Sequence, residues 1–157
     1  MHRISCIQTV WLVVLMLTSL TALSEQKKIF DGPNGSEYEV HYIAFNSTFL
    51  QPDIARQYEL VRSRAMGVVN ISIIRIAQDG TRTPVGAVVE VRATNDIQQP
   101  RHLSVQQVVE QPAIYYLAQV QFREGEMLTF DVTVYPEGQT KPLKLRFTQS
   151  FFNDQVD

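Results

Sequence analysis

Between residues 85 and 93 the chain alternates. Val85, Ala87, Val89, Val91 and Ala93 are small or branched apolar residues, and Gly86, Glu90 and Arg92 fall among the positions between them. A period of two puts successive side chains on opposite faces of an extended strand, so such a segment has one core face and one wet face. The same period runs through most of the chain. Tyr38, Val40 and Tyr42 oppose Glu37, Glu39 and His41, while Ile114, Tyr116, Ala118, Val120 and Phe122 form one apolar series. Leu128, Phe130, Val132 and Val134 oppose Thr129, Asp131 and Thr133, and Leu143, Leu145 and Phe147 open a last strand that runs through Phe151 and Phe152. Residues 66–77 are a β-branched run whose phase changes at Ile73-Ile74, which marks a bulge or burial on both faces. Residues 103–109 are a weaker, glutamine-rich strand.

Turn chemistry separates these segments. Asp79-Gly80, with residues 81–84 completing the connection, Arg123-Glu124-Gly125-Glu126 and Pro136-Glu137-Gly138 each join two strands. Residues 95–100 form a polar loop, Pro112 breaks the chain before Ile114, and Gly32-Pro33-Asn34-Gly35 reads as a flexible lead-in after Ile29-Phe30. Short strands at this spacing predict an all-β fold, an immunoglobulin-like antiparallel β-sandwich of about seven strands with one short helix. A closed barrel is the alternative.

The N-terminus carries an export address. His2 and Arg3 form a short basic region, an apolar core spans residues 10–17, and Ala22-Leu23-Ser24 supplies small residues for cleavage after Ser24. The apolar core is short of the roughly 20 residues a membrane span needs. Residues 1–24 are therefore expected to be a signal peptide and residues 25–157 a single β-sandwich domain, with no stable membrane insertion after cleavage. Cys6, the only cysteine, lies ahead of the apolar core and leaves with the signal. A cysteine-free exported domain of this length needs no covalent staple and is unlike small disulfide-dense extracellular scaffolds. The expected location is the periplasm. Net charge is −2 for the whole chain and −3 once Arg3 is removed, with no basic stripe, so nucleic acid is excluded as a partner.

One stretch breaks the strand pattern: F-N-S-T-F-L-Q-P-D-I-A-R-Q-Y-E-L-V-R-S-R, residues 45–64. Leu50, Ile54, Tyr58 and Val61 recur at helical spacing, Pro52 suits a first helical position, Asp53 suits the positive end of the helix dipole, and Arg62 and Arg64 lie near or past the other end. A helix this short is not stable alone, so the sandwich must hold its apolar face. The stretch reads as a corner where the chain passes from one sheet to the other, with Asn46, Ser47 and Thr48 satisfying backbone groups and the helix lidding one end of the core.

The segments F-N-S-T-F-L, P-D-I-A, V-R-S-R and V-N-I-S-I, with the later A-I-Y-Y-L-A-Q-V-Q-F and L-K-L-R-F-T-Q-S-F-F, resemble an uncharacterised family of small exported gammaproteobacterial proteins, a domain of unknown function. The resemblance covers essentially the whole chain after residue 24. It implies a periplasmic all-β domain and brings no catalytic residue, cofactor or partner with it.

Chemistry-bearing motifs are sparse. His41 and His102 lie on different strands without ligand spacing, and Met66 and Met127 sit at strand starts, so a His/Met metal site has little support. Nucleophile motifs are lacking, and Glu124 and Glu126 flank a hairpin tip where carboxylates face water. No catalytic residue, cofactor or metal ligand is assigned, and the protein is not expected to be an enzyme. Asn34, Asn46 and Asn70 head glycosylation-like triplets and are read as structural. Tyr115-Tyr116 and Phe151-Phe152 each present one ring to either face, whereas Lys141, Lys144 and Arg146 along the last strand discourage edge pairing. The expected function is non-catalytic binding of another protein or an envelope component. A small metal- or ligand-handling protein built on His41 or His102 is the alternative, and a hydrolase comes third.

Overall fold

The computed structural model describes residues 25–153. The expected signal segment lies outside them. The described residues form ten strands: β1 (Gln26–Asp31), β2 (Glu37–Asn46), β3 (Met66–Ile76), β4 (Arg82–Pro84), β5 (Ala87–Thr94), β6 (Pro100–Leu103), β7 (Val105–Glu110), β8 (Ala113–Gln121), β9 (Glu126–Pro136) and β10 (Leu143–Phe151). One helix, α1 (Pro52–Gln57), interrupts the strands. The larger sheet has the order β1-β2-β3-β8-β7 with β4 also on β3, and the smaller sheet the order β10-β9-β5-β6. Every pairing is antiparallel. This is the expected all-β sandwich with one short helix.

The alternation places the core. Val40, Ala44, Val69, Ile71, Ile73, Tyr116, Ala118 and Val120 from the larger sheet meet Val91, Ala93, Phe130, Val132, Val134 and Phe151 from the smaller one, all buried. An aromatic row bridges the two layers. Tyr42 and Phe147 have ring centroids 4.8 Å apart, Phe147 and Phe130 5.1 Å, Phe130 and Phe151 6.3 Å, and Phe151 and Phe122 4.7 Å. Such pairs add about 0.5–1.5 kcal/mol each beyond the area they bury.

Three differences from the sequence reading have physical causes. The strand count is ten because residues 26–31 pair with residues 37–42, residues 82–84 pair with residues 74–76, and the run 103–109 is split. β6 pairs in the smaller sheet and β7 in the larger, so the chain changes sheets at Ser104. The lead-in at residues 32–35 is a defined 3-10 turn, with Asn34 and Gly35 at positive φ and the Gly32 amide donating to the Ser36 carbonyl. At Ile73-Ile74 the β2–β3 register runs through without a slip, and the phase change reflects partial burial on both faces.

The largest correction concerns residues 47–65. β2 and β3 are direct neighbours in one sheet, paired up to Asn46 opposite Gly67. The stretch is therefore an excursion within a single hairpin and not a crossing between sheets. Sheet changes are made elsewhere, by short segments after β4, β6 and β8. The helix does not lid the end of the core. It lies against the outer face of the larger sheet, where Ile54 and Tyr58 share a groove with Phe45, Val68, Tyr115 and Leu117.

Candidate functional site

The excursion is pinned by polar groups at its base. The buried Ser47 hydroxyl donates to the Ser63 carbonyl at 3.0 Å and accepts the Ser63 amide at 2.9 Å. The Asn46 amide donates to the Phe152 carbonyl beyond β10. Arg62 donates through Nε to the Leu50 carbonyl and through Nη2 to the Thr48 carbonyl, both at 2.9 Å. The backbone-satisfying role read for Asn46 and Ser47 is present, and Arg62 adds a clasp that no local pattern signals.

Within this frame α1 carries Pro52 in its first turn, an Asp53–Arg56 ion pair, and Ala55 as its one buried residue. Ile54 is 38% exposed, Phe49 58% and Val61 55%. Leu50, Ile54 and Tyr58 do share one side, as their spacing predicts, but that side meets the groove and not the core. Ile54→Ala should therefore cost under about 1.5 kcal/mol in a urea melt, well below the 2–5 kcal/mol of a fully buried truncation. A larger loss would return Ile54 to the core.

The groove between α1 and β7 has a volume of about 190 Å³. Three aromatic rings line it: Phe45, Tyr58 and Tyr115. Val68 lies beneath them with no exposure. Asn70, the sequence triplet residue inside β3, also lines it, and its Oδ1 is buried with no hydrogen-bond partner. Glu110 at the end of β7 stands at the rim. Tyr116, the other half of the tyrosine pair, goes to the core, where its hydroxyl accepts the Ala87 amide at 2.6 Å. Phe151 is buried and Phe152 60% exposed, so both aromatic pairs split across faces as alternation predicts.

A second polar centre lies at the β1–β2–β4 side of the same sheet. Glu39, assigned by alternation to a wet face, is only 3% exposed. Lys27 of β1 donates to Oε1 at 3.1 Å, Arg82 of β4 donates to Oε2 at 2.5 Å, and His41 Nε2 lies 3.0 Å from Oε2. The Arg82 guanidinium, opposed by burial and helped by Lys27 and His41, lowers the Glu39 pKa from 4.5 to about 2. On the smaller sheet Asp131 joins Arg146 at 2.6 Å and Arg92 at 2.9 Å, and the Arg146 contact chiefly holds its carboxyl below the usual range. This pairing also spends the Arg146 charge that the sequence suggested as edge protection.

Among the described residues the histidines and methionines do not converge. His41 lines a concavity with Glu25, Ser72 and Pro84 in the larger sheet, and His102 lines another with Glu59, Ser104 and Gln119. Met127 is half exposed beside Ser150 on the smaller sheet, and Met66 opens β3. Among the described residues no group of three or more His, Cys, Asp or Glu could hold a metal ion. Glu124 and Glu126 tie the hairpin, accepting the Asn153 and Arg123 amides. Among the described residues no helix is long and apolar enough to cross a membrane.

Two face-to-face antiparallel sheets, with a helical excursion laid on one outer face, define the class: a β-sandwich with a decorated larger sheet. The sequence of residues 34–154 matches the family model described as a domain of unknown function, DUF4426, and the chain belongs to that family. A crystal structure of a family member from Pseudomonas aeruginosa is similar, at 32% identity and a TM-score of 0.66, over 82% of this chain and 97% of that one. A copper-bound variant of FetP from uropathogenic Escherichia coli is similar at the level of fold, at 11% identity and a TM-score of 0.52, over 84% of this chain and 94% of that one. No curated protein is matched by the sequence.

Proposed function

We propose that this protein is an exported, non-catalytic β-sandwich that binds another protein or an envelope component through the outer face of its larger sheet. The observation that carries this reading is the excursion itself: a segment tied down by Ser47, Asn46 and Arg62 that nevertheless leaves Phe49, Ile54 and Val61 exposed, with Ile54 on the wall of an apolar groove. Fixing large apolar side chains outside the core costs stability, and several of them held out to solvent by one tied-down segment are what binding surfaces have. The test is crosslinked capture from envelope extracts with wild type and Phe49→Ser. Phe49 is exposed, so the substitution should shift stability by less than about 0.5 kcal/mol. Capture should disappear, and undiminished capture by Phe49→Ser would refute the reading.

Copper, held by the FetP variant, is a poor fit to the residues here. Glu39 beside His41 is already neutralised by Arg82 and Lys27, and a cation entering there would meet two positive charges. His102 belongs to a different concavity from His41. Export is supported by the basic, apolar and small-residue order of residues 1–24. Intact mass of protein recovered from periplasm should begin at Glu25 or within a few residues of it. Full-length protein confined to membranes would exclude cleavage.

A further inference from the structure

We propose that the groove between α1 and β7 binds a small organic ammonium compound, an apolar body of about one ring ending in a protonated amine. The proposal rests on the reading of this outer face as the binding surface and names the chemistry that enters its floor. Three observations on different residues agree. Its volume of about 190 Å³ suits one ring with a short tail, since an apolar cavity of about 150 Å³ holds benzene. The rings of Phe45, Tyr58 and Tyr115 line it, and aromatic faces attract cations. Apart from the tyrosine hydroxyls, its polar side chains are Asn70 and Glu110, and both offer acceptors, the buried unpaired Asn70 Oδ1 and the Glu110 carboxylate.

Charge complementarity selects the ligand class. No lysine, arginine or histidine lines the groove, so nothing in it repels a cation or welcomes an anion. A buried acceptor without a donor costs stability in the free protein. Asn70 Oδ1 is closed off from the groove in the free protein, so an ammonium group reaches it when the Asn70 amide turns outward, a turn that breaks no hydrogen bond of that oxygen. The three ammonium donors then supply what it lacks, while Glu110 at the rim adds a charge-assisted contact. A neutral alcohol would meet only part of this set, and a carboxylate would be repelled by Glu110.

Three probes of one shape separate these cases: phenethylamine, 2-phenylethanol and 3-phenylpropanoate, titrated into purified protein and followed by amide NMR. Phenethylamine should shift the Asn70 side-chain amide and the Val108 and Tyr115 backbone amides saturably. The alcohol should bind about tenfold more weakly, the worth of one hydrogen bond to a charged group, and the carboxylate should not saturate. Glu110→Gln should weaken phenethylamine by about tenfold with an unchanged Tm. Asn70→Leu should abolish saturable binding without lowering Tm, because it removes the unmet acceptor and fills the space. Equal binding of the three probes, absence of saturation by phenethylamine, or wild-type affinity in Glu110→Gln would overturn the proposal. If phenethylamine fails while Phe49→Ser still abolishes capture, the interface reading stands and the ammonium site falls. If phenethylamine binds as stated while Phe49→Ser captures normally, the interface reading alone is lost.

Discussion

Phe130→Ala is expected to lower the unfolding free energy by about 3–5 kcal/mol, a loss comparable to the whole stability of a marginal domain. Phe130 has no exposure, and its ring contacts both Phe147 and Phe151 at the centre of the row linking the two sheets. Truncation removes the ring's burial, leaves a cavity that rigid strands on both sides cannot close, and breaks two aromatic contacts. A urea melt followed by far-ultraviolet circular dichroism measures it. The chain's only tryptophan, Trp11, lies in the expected signal segment and cannot report on the core after cleavage. Phe130→Leu keeps most of the volume and should cost about 1–2 kcal/mol, so a graded pair remains measurable if the alanine variant fails to fold. A loss under about 1.5 kcal/mol for alanine would mean the two sheets are not held through this row.

Alternation made the core readable because burial on one face imposes a period that survives in a single sequence. The inward series on β2, β5, β8 and β9 were legible for that reason, and so was the division of Tyr115 from Tyr116. Strand order was not, because a period of two says which face is dry but not which strand lies alongside. Residues 47–65 illustrate the limit. Their turn and helix signals are local and were legible, yet whether the next strand joins the same sheet depends on the pairing of Asn46 with Gly67, which no local signal carries. The groove was out of reach for a related cause. Val68 and Asn70 look like the wet side of a strand until α1 folds back over them.

Glu39 shows the same blindness in electrostatic form and yields the sharper test. Its partners come from residues 27 and 82, the first on a strand that the alternation did not mark and the second in a stretch read as a connection. Because the folded pKa is lowered from 4.5 to about 2, the ionised form is favoured by folding. Its contribution is fully present above pH 4.5 and is lost as pH falls from there toward 2. The expected size is about 2 kcal/mol, less than the full shift implies, because Lys27 and Arg82 are half exposed and partly screened. Glu39→Gln keeps the shape but removes the charge, so it should be less stable than wild type by about 2 kcal/mol at pH 7. Asp131, also lowered, adds to the acid loss in both proteins and cancels in the comparison. Urea midpoints measured from pH 7 to pH 2 should therefore converge, with the wild-type advantage shrinking between about pH 4.5 and 2. Parallel curves across that window would show that Glu39 is not an ionised anchor for the β1 and β4 strands. Convergence above about pH 5 would place the titrating group elsewhere.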